Sequence, residues 1–448
     1  MCYNVIDGTT PTFLDRKELP MLQAGFARLD ITPPLGHTLA GYFHARVADG
    51  ILDPLELNAI AIGNGTDTVI LITADLISMD ARQSLTIREL IEKECGVPAE
   101  HVVINCLHQH TTVRIGGGLF GIQSGYYLDF LRRKCVDAAR LAIEDMRAAK
   151  LGIAEAETAR PISFIRRYRM KDGSFETNPS RKYPERIDCP MGKADNTVRL
   201  VRFFREGAKD IALVAFATHP DVIGGNKYSA DWPGFVRRYM EEALADVHCA
   251  LFNGAQGDTN HLDPYVPTIP DRYAFSAQMG RVITDAALSI WEKTTPCEGE
   301  TVFGSSQVVY NKTRTDGEER YEEMKRFYAA YEAGTLDHKP SIAELGEARR
   351  IIGIRTAPIY QPITVSVIGF ANIRFVGFGG EPFTDYAHTL RAALTDQFVL
   401  TGCNTNGSVG YLPTASAFAE GGYEGRGTAL SPDLQDQLIS AALTMMQP

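Results

Sequence analysis

The chain of 448 residues carries a formal net charge of −10 at pH 7, with 44% apolar and 22% charged residues. This composition is that of a globular protein able to bury a sizeable core, so it excludes a mostly disordered chain. The acidic balance also disfavours a nucleic-acid partner, because nonspecific binding to phosphates depends on clustered Lys and Arg. Arg166, Arg167 and Arg169 form a local basic run whose simplest interpretation is a solvated strand edge.

The cysteines and the apolar runs of the sequence predict in which cellular compartment the protein is found. The eight cysteines show no CxxC spacing, which argues against a thiolate zinc site and a dense disulfide framework and predicts reduced, mostly buried thiols. The first twenty residues lack the basic and apolar regions of a secretory signal, and no apolar run approaches twenty residues. We therefore expect a cytoplasmic protein without stable membrane insertion.

The first clear elements form a strand, a helix and a strand. TVILITADLIS, from Thr68 to Ser78, is a continuous β-branched run typical of a strand covered on both faces. The amphipathic pattern ARQSLTIRELIEKECG predicts a helix ending near Gly96, and EHVVINCLH predicts a strand over Glu100 to His108. This order is that of a βαβ unit with parallel strands.

The same pattern returns downstream. IALVAFATH, from Ile211 to His219, precedes the helix GFVRRYMEEALAD, and HCALFNG precedes the long helix SAQMGRVITDAALSIWEK. We predict an α/β fold with a mostly parallel mixed sheet, flanking helices and a site at the carboxyl ends of the strands.

The later part of the chain adds a helical region and a hairpin. Residues 317–354 contain two charged helical patterns, which predict a pair of surface helices forming an insertion or lid. ITVSVIGFANIRFVGFGGEPF predicts a hairpin turning near residues 369–372, followed by the helix TDYAHTLRAAL. Since neither an internal repeat nor a long linker is visible, we predict one domain over residues 1–448.

Three histidines follow predicted strands. His108 and His110 lie in CLHQHTT, and His219 closes the strand in FATHP. Neutral imidazoles from different strands, joined by a carboxylate, are ligands that zinc uses when it keeps a position open for water. The alternative is that these are buried, hydrogen-bonded histidines without a ligand.

Acidic residues also follow strands. Glu381 comes after Gly379 and Gly380, where it is either a metal ligand or a carboxylate near the amino end of the next helix. Asp75 and Asp258 also follow predicted strands, and we interpret them as supporting groups.

Six short segments follow one another from about Ala24 to Gly425: AGFARLDITPP, LAGYFHAR, CLHQHTT, FATHP, GFGGEPFTDYAHTLR and GYLPTASAFAEGGYEG. Together they resemble the catalytic domain of the neutral/alkaline non-lysosomal ceramidase family. Because they are spread in sequence order over nearly the whole chain, their combination is more specific than any one of them.

The resemblance implies a zinc ion on four residues: His108, His219, Glu381 and Tyr411. It also implies that His110, Tyr423 and Arg166 hold and polarise the scissile amide, with Arg167 left open as an alternative to Arg166. Without the resemblance, Tyr411 and Tyr423 would be interpreted as packing aromatics.

The chain also departs from the family pattern. The small Ser-Gly-Pro-Gly-Gly run after the histidine pair is replaced by Thr111 to Ile115 and three glycines, 116–118. We also expect no C-terminal β-sandwich domain. The site residues therefore predict the family's chemistry, while the departures predict a substrate other than ceramide.

The combined prediction is a zinc-dependent hydrolase that cleaves the amide bond of a small N-acyl compound with activated water. A GxSxG turn and a recognisable Cys/His context are both missing, which disfavours a covalent acyl-enzyme. The alternatives are an esterase, lactonase or acyl-sugar hydrolase acting on an O-acyl substrate, and a noncatalytic small-molecule binding protein. The oligomeric state, including a homo-oligomer, stays open.

Overall fold

The computed structural model describes residues 22–115, 125–266 and 268–446. Its strands are β1 (Gln23–Asp30), β2 (Gly50–Ile51), β3 (Glu56–Gly63), β4 (Thr68–Ala74), β5 (Val102–Cys106), β6 (Arg147–Glu157), β7 (Phe164–Ile165), β8 (Arg167–Met170), β9 (Phe175–Thr177), β10 (Ile187–Pro190), β11 (Thr197–Arg205), β12 (Asp210–Phe216), β13 (Lys227–Tyr228), β14 (Val247–Asn253), β15 (Thr259–Asn260), β16 (Thr295–Cys297), β17 (Val302–Lys312), β18 (Tyr360–Phe370), β19 (Ile373–Phe378), β20 (Glu381–Pro382), β21 (Phe398–Gly402) and β22 (Tyr411–Leu412). Its α-helices are α1 (Ala81–Cys95), α2 (Gly125–Glu144), α3 (Asp231–Ala243), α4 (Arg272–Ile290), α5 (Tyr321–Glu332), α6 (Ile342–Ile354), α7 (Thr384–Ala393), α8 (Ala415–Glu420), α9 (Gly422–Gly427) and α10 (Leu434–Thr444).

The largest sheet among the described residues has nine strands in the order β14-β12-β11-β6-β1-β3-β4-β5, with β16 also paired to β6. Only the terminal pairs, β12 with β14 and β4 with β5, are parallel. The mixed sheet with flanking helices is confirmed, whereas the expectation of mostly parallel pairing is wrong. Short turns join β3 to β4 and β11 to β12, and a buried antiparallel strand has the same continuous apolar pattern as a parallel one.

Both predicted βαβ units are present at the ends of this sheet. Helix α1 connects β4 to β5, and α3 connects β12 to β14. Asp80 caps the amino end of α1 by accepting a hydrogen bond from the Gln83 N–H. Gly96 ends the helix in the left-handed region at φ 73°, as predicted from its position.

A second sheet of order β17-β18-β19-β21 packs against the inner face of the first. Its β18–β19 hairpin turns at Ala371 and Asn372, which confirms the predicted turn. Phe252 of the large sheet meets Phe375 of the small sheet with ring centroids 4.5 Å apart. Each buried aromatic of this kind contributes about 1.5–3 kcal/mol of transfer free energy.

Helices cover the outer faces of both sheets, giving four layers. Helices α1 and α2 pack on the β3–β5 part of the large sheet, and α3 and α4 on the part formed by β11, β12 and β14. Helices α7 and α10 cover the smaller sheet. The carboxyl ends of β5, β12 and β19 are therefore brought together at one edge of the two-sheet core.

The predicted helical pair corresponds to α5 and α6. Ser341 and Glu344 form a reciprocal capping box at the start of α6. The two helices share an apolar cluster that includes Met324 and Leu345, and Gly346 of α6 packs against the Tyr423 ring. The role of this pair as an insertion or lid, and the single-domain organisation, stay predictions.

The described cysteines are all free, and most are buried, as expected. None of the helices within the described ranges is long and apolar enough to cross a membrane.

Candidate metal centre

The ends of three strands bring the candidate residues together. His108 follows β5, His219 follows β12, and Glu381 opens the short strand β20 just after β19. All three side chains are buried, with 5%, 2% and 6% of their surface exposed. Strand β20 pairs with β22 so that Glu381 lies directly opposite Tyr411.

The side-chain atoms of these residues converge. The Glu381 Oε2 atom lies 3.2 Å from the His108 Nε2 atom and 3.4 Å from the His219 Nε2 atom. The His110 Nε2 atom lies 3.4 Å from the His108 Nε2 atom. One nitrogen from each of the three histidines lies within 4.8 Å of the others, so this buried group could hold a metal ion.

Backbone carbonyls orient two of the imidazoles. The Nδ1 atom of His108 lies 2.8 Å from the Ile77 carbonyl oxygen, and the Nδ1 atom of His219 lies 3.1 Å from that of Gln256. A carbonyl oxygen can only accept, so each Nδ1 donates its proton, and each ring, when neutral, keeps the Nε2 lone pair. This is the arrangement by which proteins orient metal-binding histidines.

The electrostatics fit a cation at the point of convergence. Burial, aided by the nearby Arg166 charge, holds the pKa of His219 well below its ordinary value. Burial would raise the pKa of Glu381, but the charges of His108 and Arg166 outweigh it and lower the pKa. A neutral imidazole whose Nε2 has no hydrogen-bond partner among the described residues therefore faces a carboxylate oxygen. Two such acceptors repel each other unless a cation lies between them.

His108 behaves differently in the absence of a cation. Burial lowers its pKa, but the Glu381 carboxylate outweighs this effect and raises the pKa overall. Its backbone adopts the left-handed region at φ 79°, uncommon for a residue with a side chain. Such strain is typical of functional positions, where the surroundings fix the conformation.

His110 is held by a separate set of contacts. Its Nδ1 atom lies 3.5 Å from the Asp221 Oδ1 atom, and Arg46 donates a 2.6 Å hydrogen bond to its backbone oxygen. The Tyr42 hydroxyl donates to the same Asp221 oxygen over 2.7 Å. Burial, with the His108 charge, holds the pKa of His110 well below its ordinary value, so the ring is neutral at pH 7.

Tyr411, Tyr423 and Arg166 lie next to the histidines. The Tyr411 ring stacks on the His219 ring at 6.3 Å and meets the Tyr423 ring at 5.3 Å. The Arg166 guanidinium lies 5.0 Å from the centre of the Tyr411 ring. Burial raises the pKa of Tyr423 to about 12 and holds that of Tyr411 well above its ordinary value, so both hydroxyls are neutral at pH 7 without a metal.

The two arginines left open by the sequence have different surroundings. Arg166 faces Tyr411, whereas Arg167 pairs with Glu420 at 3.0 Å and lies over the Phe383 ring. Both are buried, so a solvated strand edge is wrong for them, and only Arg169 of the basic run is exposed. Arg167 and Arg169 lie on the same face of β8, and Arg167 differs because Glu420 and Phe383 from distant segments pack against it.

Glu424 is a site residue that the sequence did not reveal, although it lies in the segment GYLPTASAFAEGGYEG. It is fully buried, and its Oε1 atom lies 2.6 Å from the Arg166 Nε atom. Its Oε2 atom accepts a hydrogen bond from the Thr177 hydroxyl. Its burial next to two arginines requires the folded arrangement, so no local pattern could reveal it.

Asp75 and Asp258 have the supporting role expected of them. Asp75 accepts hydrogen bonds from Arg237 and from Gln109, the residue between His108 and His110. Asp258 accepts from the backbone and hydroxyl of Thr384 at the start of α7, just after Glu381. The predicted difference at glycines 116–118 lies outside the described residues.

Gly41 packs against His110 so closely that a side chain cannot fit. Its φ is +98°, and an added Cβ would lie 2.6 Å from the His110 ring. We expect Gly41→Ala to cost about 1–3 kcal/mol more of unfolding free energy than Gly36→Ala, because overpacking adds to backbone strain. Gly36 is the matched control, since it has φ +93° and no atom within 4 Å of an added Cβ. Equal losses in urea unfolding would contradict the packing of Gly41 on His110.

Comparisons with known proteins agree at the level of the fold. No protein-family model and no curated protein matches the sequence. A solved structure described as neutral ceramidase from Pseudomonas aeruginosa has a TM-score of 0.72 and 14% identity, covering 95% of this chain and 74% of that chain. A structure described as ceramidase complexed with C2 has a TM-score of 0.69 and 13% identity, with the same coverages. The chain therefore has a ceramidase-like fold.

Proposed function

We propose that this protein is a zinc-dependent hydrolase that cleaves the amide bond of an N-acyl substrate. The observation that carries the proposal is the convergence of two imidazole Nε2 atoms, from His108 and His219, on the Glu381 carboxylate. The ceramidase-like fold is consistent with it, and both support a metal hydrolase in general. At 14% identity, the activity of the similar structure is a hypothesis for this chain.

His108, His219, Glu381 and Tyr411 would hold the ion. Two neutral imidazoles and a carboxylate suit zinc and can leave a coordination position open for water. When bound, zinc supplies Lewis-acid activation of a water molecule and of the substrate carbonyl. His110 is the alternative ligand to Tyr411, because its Nε2 atom belongs to the same buried group.

In this proposal His110 carries the proton. Its neutral ring can accept a proton from the attacking water and return it to the leaving amine. Asp221, 3.5 Å from the His110 Nδ1 atom, favours the tautomer with the proton on Nδ1 and the lone pair on Nε2.

Tyr423 and Arg166 would hold the carbonyl oxygen and the substrate. A neutral Tyr423 hydroxyl can donate a hydrogen bond where negative charge develops, a contribution of about 2.7–4 kcal/mol for one oxyanion donor. The buried pair with Glu424 fixes the Arg166 guanidinium against the Tyr411 ring. Arg166 would therefore offer the substrate a positive charge at a fixed position.

In a second candidate function, the same metal centre hydrolyses the ester bond of an O-acyl substrate instead of an amide bond. An ester, a lactone or an acylated sugar offers the same carbonyl to activated water, and the residues described above accommodate either. A noncatalytic binding protein is the remaining alternative, and the retention of His110 and Tyr423 beside the metal ligands argues against it.

Matched substrates distinguish these functions. We expect zinc-loaded protein to hydrolyse N-acyl amides faster than O-acyl esters of the same chain length, relative to each uncatalysed rate, and to act poorly on ceramide. Faster relative hydrolysis of the esters would favour the second candidate. Binding without turnover of either class, by protein that contains zinc, would favour a binding protein. The cytoplasmic location is likewise a proposal, which cell fractionation tests.

A further inference from the structure

A cavity of about 250 Å³ adjoins the histidine cluster. Its lining includes Gly41, Ile77, Ser78, Asp80, Arg114 and Ser408, and we call it the Arg114 pocket. Gly41 packs against the His110 ring, and the Ile77 carbonyl accepts from His108. Gly41 and Ile77 therefore line the pocket and also contact histidines of the candidate metal centre.

The size and polarity of the Arg114 pocket favour a small polar group. Pockets for drug-sized ligands usually occupy roughly 300–1,000 Å³, so this one lies below that range. Charged or hydroxyl side chains come from four of its residues: Ser78, Asp80, Arg114 and Ser408. A long acyl chain would leave these groups without partners, at a desolvation cost.

Arg114 has no side-chain partner within residues 22–115, 125–266 and 268–446. It is half-buried, and its Nε atom is buried without a hydrogen bond among the described residues. Most other arginines near the centre are paired; Arg166, for example, lies 2.6 Å from Glu424. A half-buried guanidinium that forms no ion pair would gain charge-assisted hydrogen bonds from a bound anion.

Arg349 of helix α6 is a second cation near the candidate centre, on the side of Phe43 and Tyr423. Its guanidinium carbon lies 5.3 Å from the Phe43 ring centre, and Phe43 meets the Tyr423 ring at 6.0 Å. Burial lowers the pKa of Arg114, and the Arg349 charge lowers it further. In the described parts of the chain, neither forms an ion pair.

We propose that the Arg114 pocket binds the carboxylate of a small anionic N-acyl substrate. The inference rests on the proposed hydrolase function and names the substrate class of that site. A planar carboxylate matches the bidentate geometry of a guanidinium. Asp80 also lines the pocket, and its charge disfavours a dianionic phosphate more than a monoanionic carboxylate.

The pocket is tested with two substrates that each contain one amide bond. N-hexanoylglycine presents a carboxylate where N-hexanoylethanolamine presents a neutral hydroxyl. We expect wild-type protein to prefer the first by about 10- to 100-fold in kcat/KM, the usual effect of a charge-assisted hydrogen bond. Arg114→Met should remove the preference without changing zinc content, and Arg114→Lys should retain part of it.

Arg326→Met is the matched control, because Arg326 is exposed on helix α5. The control should keep the full preference. Equal kcat/KM values for the two substrates in wild type, or an unchanged preference in Arg114→Met, would overturn the inference while leaving the hydrolase proposal intact.

A binding measurement separates the two proposals if neither substrate is turned over. Calorimetric binding of N-hexanoylglycine that weakens about tenfold or more in Arg114→Met would support the pocket even as the hydrolase proposal fails. Absence of such binding, or tighter binding of inorganic phosphate than of the carboxylate, would overturn the inference.

Discussion

Replacing His110 by alanine is expected to lower kcat/KM for the best N-acyl substrate by about 10²- to 10⁴-fold, the usual contribution of general acid–base catalysis. The reason is that His110 is the neutral imidazole closest to the metal ligands and has its own supports, Asp221 and Arg46. Zinc content should stay near that of wild type if Tyr411 completes the ligand set.

His388→Ala is the control for this experiment. His388 is on α7, where its Nε2 atom contacts the Lys193 backbone oxygen away from the cluster. Loss of zinc together with activity in His110→Ala would show instead that His110 is the third imidazole ligand. Full activity would contradict its role as the proton carrier.

Glu381→Gln is expected to remove both zinc and activity. The amide keeps the shape of the side chain but removes the negative charge that lies 3.2 Å from His108 and 3.4 Å from His219. Loss of a residue that merely orients a metal ligand costs roughly 10- to 100-fold in affinity, so loss of a ligand should exceed this. Zinc affinity is measured by competition with a chromogenic chelator.

Asp385→Asn provides the matched control, since Asp385 is an exposed acid four residues away on α7. Its zinc affinity and activity should equal those of wild type. Wild-type zinc affinity in Glu381→Gln would contradict the ligand assignment, and the buried carboxylate would then be interpreted as a partner of protonated His108.

The regular elements of the fold could be predicted because each is encoded locally. The helix over Ala81–Cys95 has its cap residues Asp80 and Gly96 in the sequence, and the hairpin has its turn at residues 371–372. Strand pairing could not be predicted in the same way. A buried strand such as β3 shows one continuous apolar run whether its neighbours are parallel or antiparallel.

The candidate site was predictable to the extent that its residues follow strands. His108, His219 and Glu381 each come after an apolar run, and the fold brings the two imidazole Nε2 atoms to 3.2 Å and 3.4 Å from the Glu381 Oε2 atom. The resemblance supplied Tyr411 and Tyr423, whose local pattern is that of packing aromatics. Their positions next to His219 and to each other agree with that selection, while the role of each residue stays a prediction.

The supports of the site could not be predicted, because they depend on distant contacts. Glu424 meets Arg166 from 258 positions along the chain, and both are buried only in the folded state. The Arg114 pocket is likewise formed by segments near residues 40, 78, 114 and 408. A sequence motif identifies residue types, whereas only the folded structure shows that Arg114 has no partner in the described part of the chain.

The most direct test of the central claim is the zinc content of the purified wild-type protein, prepared without chelator and measured by elemental analysis beside His108→Ala. The convergence of His108, His219 and Glu381 predicts about one zinc per chain in wild type and little in the variant. Folded wild-type protein that contains no stoichiometric metal, even after incubation with zinc and desalting, would contradict the metal centre and the hydrolase function built on it.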